Sequence, residues 1–280
     1  MIEYKNGVFG IHGDEFSCLL RVNDYGLLEL LHFGEPVRTE DADAFICHPG
    51  LGWGESVLLE AGDTESCADA MPRAWSGAGR GDYRESPLEL GGVSTDFRYV
   101  GYEIINSAVP MKSGLPQARG ECETLRVTMA QEGLELALYF SVFGGVMTRR
   151  AVLKNTGREP ATVTKFMSSM MDIYGEYNMT TFDGGWIAEM RKHTLPVSES
   201  KVVSESLTGF SSNRHNPGFM LSQPEAAEDS GIVYGMNLIY SGNHYAAAQR
   251  SLQGFTRVMQ GIAPAGFVKV LQSGEEFETP

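Results

Sequence analysis

Along most of the chain, apolar and polar residues alternate in short runs that are separated by turn residues. The first clear pair covers residues 16–22 and 27–33, with the turn Asn23-Asp24-Tyr25-Gly26 between them. A period of two places successive side chains on opposite faces, which is typical of a strand with one buried face. The two runs therefore predict a β-hairpin near the start of the chain.

Later runs repeat this pattern at residues 125–129, 134–140, 146–153 and 161–166, with glycine-containing turns such as Asn155-Thr156-Gly157 between them. Strands at roughly ten-residue spacing are typical of a sandwich or barrel rather than of βαβ units. We therefore predict an all-β fold, a large antiparallel sandwich with few short helices. No repeat, low-complexity tract or linker divides the chain, so residues 1–280 are expected to form a single domain.

Two segments depart from the alternation. Residues 168–177 are rich in methionine and are the clearest helical candidate, although Gly175 limits a helix and a strand or loop fits equally well. Residues 56–70 are acidic and poor in β-branched side chains, which predicts a loop with room for one short helical turn.

Composition narrows the function classes. The 33 glycines are scattered without a period, as turn residues of an all-β chain are. Acidic residues outnumber basic ones 36 to 22, and the formal charge of −14 repels phosphate backbones and anionic lipids. We therefore expect no nucleic acid and no membrane among the partners, whereas a neutral sugar would be indifferent to this charge.

The cysteines and histidines suggest neither a disulfide framework nor a metal site. Cys18, Cys47, Cys67 and Cys122 are far apart, and the six histidines are dispersed. The N-terminus lacks the basic and apolar regions of a secretory signal. No P-loop, GxGxxG, GxSxG or HExxH motif occurs. These patterns predict a cytoplasmic protein with reduced thiols, no metal and no cofactor.

Several segments combine polar, aromatic and glycine residues, as loops that line a sugar site do. They lie around Trp53 and at residues 75–84, 182–191, 209–219 and 234–245. Each segment taken alone is better explained as a well-packed turn or sheet corner.

Taken in order, short motifs in these and neighbouring segments resemble the N-terminal domain of glycoside hydrolase family 36, the α-galactosidases. The matching pieces are Gly81-Asp82-Tyr83-Arg84, Gly114-Leu115-Pro116, Glu123-Thr124-Leu125, Arg149-Arg150 with Asn155-Thr156-Gly157, Ser168-Ser169 with Asp172, Gly185-Trp186 with Glu189, residues 206–217, Val233-Tyr234-Gly235 with Tyr240-Ser241-Gly242-Asn243, Arg257-Val258, and residues 274–280. They cover most of the chain in the family's order.

The resemblance implies a β-supersandwich domain that precedes a catalytic (β/α)8 barrel, and in the family that barrel carries the two catalytic aspartates. The present sequence ends at Pro280, where the barrel is expected to begin, so we predict that this chain lacks a catalytic pair and is inactive alone. The implied role is to pack against the barrel, help a homo-oligomer to form and contribute to the pocket rim. The full-length enzyme would hydrolyse terminal α-galactosides such as melibiose and raffinose.

Three residues are the candidates for substrate contact: Trp53, Asp82 and Arg84. An indole can stack on a sugar ring, and a carboxylate and a guanidinium can bind its hydroxyl groups. The alternative is that Asp82 and Arg84 form an ion pair that stabilises their loop.

Two other functions stay open. The chain is also compatible with a stand-alone galactoside-binding module, or an assembly partner for a separately encoded barrel. Galactose mutarotases have a related fold and use a histidine and a glutamate. For a mutarotase-like sugar enzyme, the local candidates are His193, His215 and Glu189.

Overall fold

The computed structural model describes residues 1–47, 57–210 and 214–280. Within these ranges the chain forms nineteen β-strands and three short 3₁₀ turns, at Thr39–Phe45, Ala68–Ala70 and Ala78–Arg80. The prediction of an all-β chain with few short helices is confirmed. No helix in this part of the chain is long and apolar enough to cross a membrane.

The strands are numbered in chain order. The first ten are β1 (Ile2–Lys5), β2 (Val8–His12), β3 (Ser17–Val22), β4 (Leu28–Gly34), β5 (Leu88–Leu90), β6 (Arg98–Ile105), β7 (Glu123–Gln131), β8 (Leu134–Phe143), β9 (Val146–Asn155) and β10 (Ala161–Tyr174). The others are β11 (Asn178–Asp183), β12 (Arg191–Pro196), β13 (Val202–Ser206), β14 (His215–Ser222), β15 (Val233–Asn237), β16 (His244–Arg250), β17 (Phe255–Ile262), β18 (Lys269–Leu271) and β19 (Glu276–Glu278).

These strands form four antiparallel sheets. Their orders are β1-β2-β3-β4, β19-β9-β8-β7-β6, β12-β11-β14-β15, and β13-β16-β17-β10-β18 with β5 also paired to β10. The 14-residue β10 pairs with β17 over its C-terminal half and with β18 and β5 over its N-terminal half. It is therefore the strand on which the largest sheet is assembled.

All four sheets contribute side chains to one hydrophobic cluster. Examples are Phe9 from β2, Leu136 from β8, Phe166 from β10 and Phe219 from β14, each at most 2% exposed. Full burial of such a side chain contributes about 1.5–3 kcal/mol. Since no single sheet encloses this cluster, the four sheets depend on one another for their stability.

The alternating runs correctly located six of the nineteen strands that the structure describes. The predicted early hairpin is β3 and β4, and the later runs correspond to β7, β8, β9 and the first part of β10. The strands β1 and β2 precede that hairpin and were not predicted. The short helical turn expected within residues 56–70 occurs at Ala68–Ala70.

The helical alternative for residues 168–177 is wrong, because residues 168–174 belong to β10. Met167, Met170 and Met171 are all buried there. Neighbouring strands and two hydrophobic clusters cover both faces of β10 in this stretch. Doubly buried strands read as continuous apolar runs, which periodicity alone does not distinguish from helices.

The Arg149-Arg150 motif joins β9 to its surroundings. The half-buried Arg149 donates to the carbonyls of Met170 (2.6 Å) and Ala74 (3.1 Å), and its guanidinium lies 4.4 Å from the ring centre of Phe140. Burial lowers the pKa of Arg149 to about 10. Arg150 forms an ion pair with Glu278. Both arginines therefore join β9 to other segments of the chain.

Asn155 closes the turn after β9. Its buried side-chain amide donates to the carbonyls of Glu159 (2.8 Å) and Leu271 (2.9 Å), and its oxygen accepts from the amide of Gly157 (2.9 Å). Three hydrogen bonds from one side chain join β9, the turn and β18.

We predict that Asn155→Ala lowers the free energy of unfolding by about 1–3 kcal/mol, because buried backbone groups lose their partners. Urea denaturation measures the change. Lys154→Ala, at the exposed neighbouring position, is the control and should shift the value by no more than about 0.5 kcal/mol. Equal losses in the two variants would contradict this account of the turn.

Candidate functional site

Asp82 and Arg84 lie in the turn formed by residues 76–84, which follows the isolated β-bridge between Arg73 and Glu29. The backbone reverses at Gly81, whose φ is +78°, and a Cβ atom there would lie 2.6 Å from Cβ of Val57. Glycine is therefore required at this position. Beyond Gly81 the chain turns inward, and the side chains of Asp82 and Arg84 are 1% and 8% exposed.

Two further charged residues meet them from the largest sheet. Asp172 on β10 lies directly opposite Arg257 on β17 in the strand pairing. Asp82, Arg84, Asp172 and Arg257 together form what we call the arginine–aspartate cluster. Sequence reasoning did not nominate Asp172 or Arg257 as site residues, although both lie in the motifs quoted above.

Arg257 is the centre of the arginine–aspartate cluster. Its Nε atom donates to Oδ1 of Asp172 (2.8 Å), and one terminal nitrogen donates to Oδ2 of both Asp172 and Asp82 (2.9 Å each). Arg84 donates from Nε to Oδ1 of Asp82 (2.8 Å) and from a terminal nitrogen to Oδ2 of Asp172 (3.2 Å). The hydroxyl of Ser76 also donates to Asp82. Each carboxylate thus accepts hydrogen bonds from both guanidinium groups.

Burial and ion pairing shift the pKa values of Asp82 and Arg257 in opposite directions. Burial alone would raise the pKa of Asp82, but the charges and hydrogen bonds of Arg257 and Arg84 hold it well below its usual range. Burial alone would lower the pKa of Arg257, and Asp172 and Asp82 raise it above its ordinary value. Asp82 and Arg257 are therefore kept ionised. A carboxylate held in this way is a poor general acid.

The geometry matches the ion-pair alternative for Asp82 and Arg84. Arg84 also donates to the carbonyls of Ala68 (3.0 Å) and Met71 (3.2 Å) and lies 4.6 Å from the ring centre of Phe255. Contact of either residue with a substrate stays a prediction. Trp53, the third candidate, lies outside the described residues.

Three of the segments singled out in the sequence meet at another corner of the molecule. Asp183 ends β11 and accepts from Nδ1 of His215 at the start of β14 (2.7 Å). The amide of Gly184 donates to the carbonyl of Arg214 (2.9 Å), and the amide of Gly209 donates to Oδ1 of Asn243 (2.7 Å). The base of the hairpin tip at residues 184–190 is thereby fixed to Arg214 and His215, and Gly209 is fixed to Asn243.

The hairpin tip exposes apolar side chains. Trp186 and Ile187 are 84% and 83% exposed. Ile187 and Met190 have φ values of 65° and 60°, a region that β-branched and bulky residues rarely adopt. The amide of Ile187 donates to the carboxylate of Glu189 within the same loop (3.2 Å). Backbone strain clusters at functional sites, and contiguous exposed apolar surface marks interaction sites.

The residues considered for a mutarotase-like site lie near this tip. His193 is 3.9 Å from the Asp183 carboxylate, and His215 binds the same carboxylate. Glu189 bonds its own loop. Among the residues that the structure describes, no group of three histidine, cysteine or acidic side chains could hold a metal ion.

Buried behind this corner is His244, the first residue of β16. It is fully buried, and neither ring nitrogen has a hydrogen-bond partner among the described residues. Burial, and to a lesser extent the nearby His215, lowers the pKa of His244 to about 4. The imidazole is therefore neutral at pH 7.

Comparison with known protein families gives a match over residues 26–272 to the glycosyl hydrolase family 36 N-terminal domain. Over 98% of its length the chain is 29% identical to the bifunctional α-galactosidase/sucrose kinase AgaSK of Mediterraneibacter gnavus, of which it covers 30%. Over 97% of its length it is 30% identical to the α-galactosidase AgaA of Geobacillus stearothermophilus, of which it covers 39%. The chain thus spans well under half of these curated relatives.

Solved structures agree with the sequence matches. The galactosidase domain of AgaSK superposes with a TM-score of 0.94 at 28% identity, over 100% of this chain and 41% of that one. An AgaA variant from G. stearothermophilus in complex with raffinose superposes with a TM-score of 0.91 at 28% identity, over 98% of this chain and 39% of that one.

We predict that Asp172→Asn lowers the free energy of unfolding by about 3–5 kcal/mol, because it leaves buried guanidinium charge unpaired. Both oxygens of Asp172 accept from nitrogens, so an amide nitrogen would face a donor in either orientation. Asp96→Asn, in a partly exposed pair with Arg80, is the control and should cost about 1 kcal/mol or less. Similar losses measured by urea denaturation would show that Asp172→Asn does not leave buried charge unpaired.

We also predict a pH dependence from His244. Unfolded histidine has a pKa of about 6.5. Below this pH the unfolded chain takes up a proton that folded His244 does not, so stability falls by up to about 1.4 kcal/mol per pH unit. The fall from this residue ends near its folded pKa of about 4. In His244→Leu the slope of unfolding free energy between these pH values should be shallower, and identical slopes would refute the assignment.

Proposed function

The chain belongs to the glycosyl hydrolase family 36 N-terminal domains, and we propose that it is the non-catalytic N-terminal part of an α-galactosidase. The observation that carries this proposal is the match of nearly the whole chain, in sequence and in fold, to less than half of each α-galactosidase. The full-length enzyme would release terminal α-galactosyl groups from sugars of the raffinose type. Relatives have been solved with raffinose and with stachyose.

The state of the buried carboxylates supports a non-catalytic role. Retaining glycosidases need one carboxylate as nucleophile and one carboxylic acid with a raised pKa, about 5–5.5 Å apart and facing the sugar. Arg257 binds the carboxylates of both Asp82 and Asp172, yet both are almost wholly buried. The pKa of Asp82 is moved in the direction opposite to that of an acid catalyst.

Within the full-length enzyme, we assign this chain the role of a single β-supersandwich domain that packs against the catalytic part. The single hydrophobic cluster shared by all four sheets supports one domain over residues 1–280. The exposed hairpin tip with Trp186 supports contact with the catalytic part, with a neighbouring subunit or with the rim of the sugar pocket. The four free thiols support a reducing, cytoplasmic location.

We predict that the purified chain does not hydrolyse an aryl α-galactoside, because Asp82 and Asp172, the carboxylates that Arg257 holds together, are almost wholly buried and cannot face a sugar. The release of the aryl group is followed by absorbance. AgaA of G. stearothermophilus, assayed in parallel, shows that the substrate and conditions support turnover.

Turnover by the pure chain that a single substitution such as Asp183→Asn abolishes would overturn the proposal. Calorimetry with galactose, melibiose and raffinose separates it from a stand-alone binding module, for which heat of binding by the isolated chain is expected. Under the proposal, the isolated chain gives none.

A further inference from the structure

The turn between β1 and β2 consists of two residues, Asn6 and Gly7. Lys5 at the end of β1 pairs with Val8 at the start of β2, so these two residues alone close the hairpin. Their φ values are 50° and 83°, both in the left-handed region. Positive φ at both positions is typical of a type I′ turn, in which Asn-Gly is a preferred sequence.

The polar groups of this turn are open to solvent and not engaged by the rest of the chain. Asn6 is exposed, and its side chain has no hydrogen-bond partner among the residues that the structure describes. The backbone amide of Gly7 has no acceptor in the same part of the chain. A Cβ atom on Gly7 would meet nothing within 4 Å. No other segment therefore obstructs a reaction between the Gly7 nitrogen and the side-chain amide carbon of Asn6.

Comparable turns elsewhere in the chain have their reactive groups engaged. Asp183 is also followed by a glycine, but its carboxylate accepts from His215 (2.7 Å), and the amide of Gly184 donates to the carbonyl of Arg214 (2.9 Å). The side-chain oxygen of Asn23 accepts from two backbone amides of its own turn (3.0 Å each). The Asn6-Gly7 turn differs from both in that neither of its groups is held.

We propose that Asn6 is a site of spontaneous covalent modification in the folded protein, by deamidation through the backbone nitrogen of Gly7. This nitrogen loses its proton to hydroxide and attacks Cγ of Asn6. A five-membered succinimide ring forms, the Cγ–Nδ2 bond breaks, and ammonia leaves. Water then opens the ring, at Cγ to give aspartate or at the main-chain carbonyl carbon to give isoaspartate. One water is consumed for each ammonia released, and neither an oxidant nor a cofactor is needed. This inference is independent of the proposed glycosidase role.

The two products affect the hairpin differently. Aspartate leaves the main chain unchanged, and Asp-Gly also suits a type I′ turn. Isoaspartate adds the Cβ atom to the main chain, so a two-residue turn no longer fits the pairing of Lys5 with Val8. The edge strand β1 carries Tyr4, whose ring centre lies 4.8 Å from that of Tyr102 on β6. Isoaspartate formation therefore weakens a contact between two sheets.

Mass spectrometry of the full chain, incubated folded at mildly alkaline pH, tests the site. The tryptic peptide 6–21 contains Asn6 as its one asparagine, and peptide 22–38 contains Asn23 as the internal control. We expect the first peptide to gain the mass difference between OH and NH₂, and the second to stay unchanged. The converted fraction should rise with pH, because the attacking nitrogen must lose its proton. Endoproteinase Asp-N, applied to the intact chain, cleaves before aspartate but not before isoaspartate and so separates the products.

Asn6→Gly is the matched control, because Gly-Gly also forms type I′ turns but has no side chain to react. Asn155→Ala, predicted above to lower stability at a distant turn, should react at Asn6 as fast as the unmodified protein. A rate that rises with Asn155→Ala would place the reaction in transiently unfolded molecules and overturn the proposal. An Asn6 that stays intact in the folded chain while it reacts in urea would also overturn it.

The structural consequence is measured on the aged protein. Protein that has accumulated isoaspartate should unfold at a lower urea concentration than fresh protein, whereas Asn6→Gly incubated in parallel should show no shift. Equal midpoints for fresh and isoaspartate-containing protein would show that the Asn6-Gly7 turn does not hold β1 in place.

Discussion

Arg257 makes the contact on which the arrangement of the largest sheet and the 76–84 turn depends. Through one guanidinium it binds Asp172 on the neighbouring strand and Asp82 in the turn, which are 85 and 175 residues away in sequence. Removing four charges from water is expensive, and the expense is offset only when the charges balance and their hydrogen-bonding atoms are occupied. Both conditions are met here. The result is a fixed position for the turn, more than a large gain in stability.

The position of the 76–84 turn in turn determines the position of the preceding segment. With Asp82 held inward, Arg84 reaches the carbonyls of Ala68 and Met71, so the preceding segment is tied to the same centre. Asp172 simultaneously holds the backbone of Arg73. Polar groups thus organise a region where the chain has little regular secondary structure. Hydrophobic burial is non-directional and does not by itself select one loop conformation, whereas directional hydrogen bonds to ionised groups do.

The sequence predicted the strands whose pattern is local and failed for those that depend on contacts with distant parts of the chain. The alternation of residues 125–153 was sufficient for β7, β8 and β9, because each strand has one buried face. It failed for residues 168–174, where both faces of β10 are covered. The strands β1 and β2 lie outside the alternating runs and were not predicted.

The candidate site shows the same limit. The motifs contained all four residues of the arginine–aspartate cluster, yet nothing in a single sequence pairs Asp82 with Arg257. The choice between substrate contact and ion pair for Asp82 and Arg84 depended on side-chain exposure, which tertiary contacts determine.

The arginine–aspartate cluster and the hairpin tip both contain locally unfavourable features. In the cluster the feature is buried charge, and at the tip it is an exposed indole together with backbone strain. In the cluster, the unfavourable burial of charge is compensated within the chain, so the region is complete as it stands. At the tip, the exposed Trp186 and the strained backbone of Ile187 have no comparable compensation among the described residues. Strain of this kind persists where surrounding structure or a binding partner over-determines it. The hairpin is held by Asp183, Gly184 and their partners, so the scaffold supplies the rigidity and leaves the indole free for a contact surface. A domain that is rigid inside and apolar at one projecting tip is suited to positioning another part of an enzyme, and this supports the role proposed for the chain.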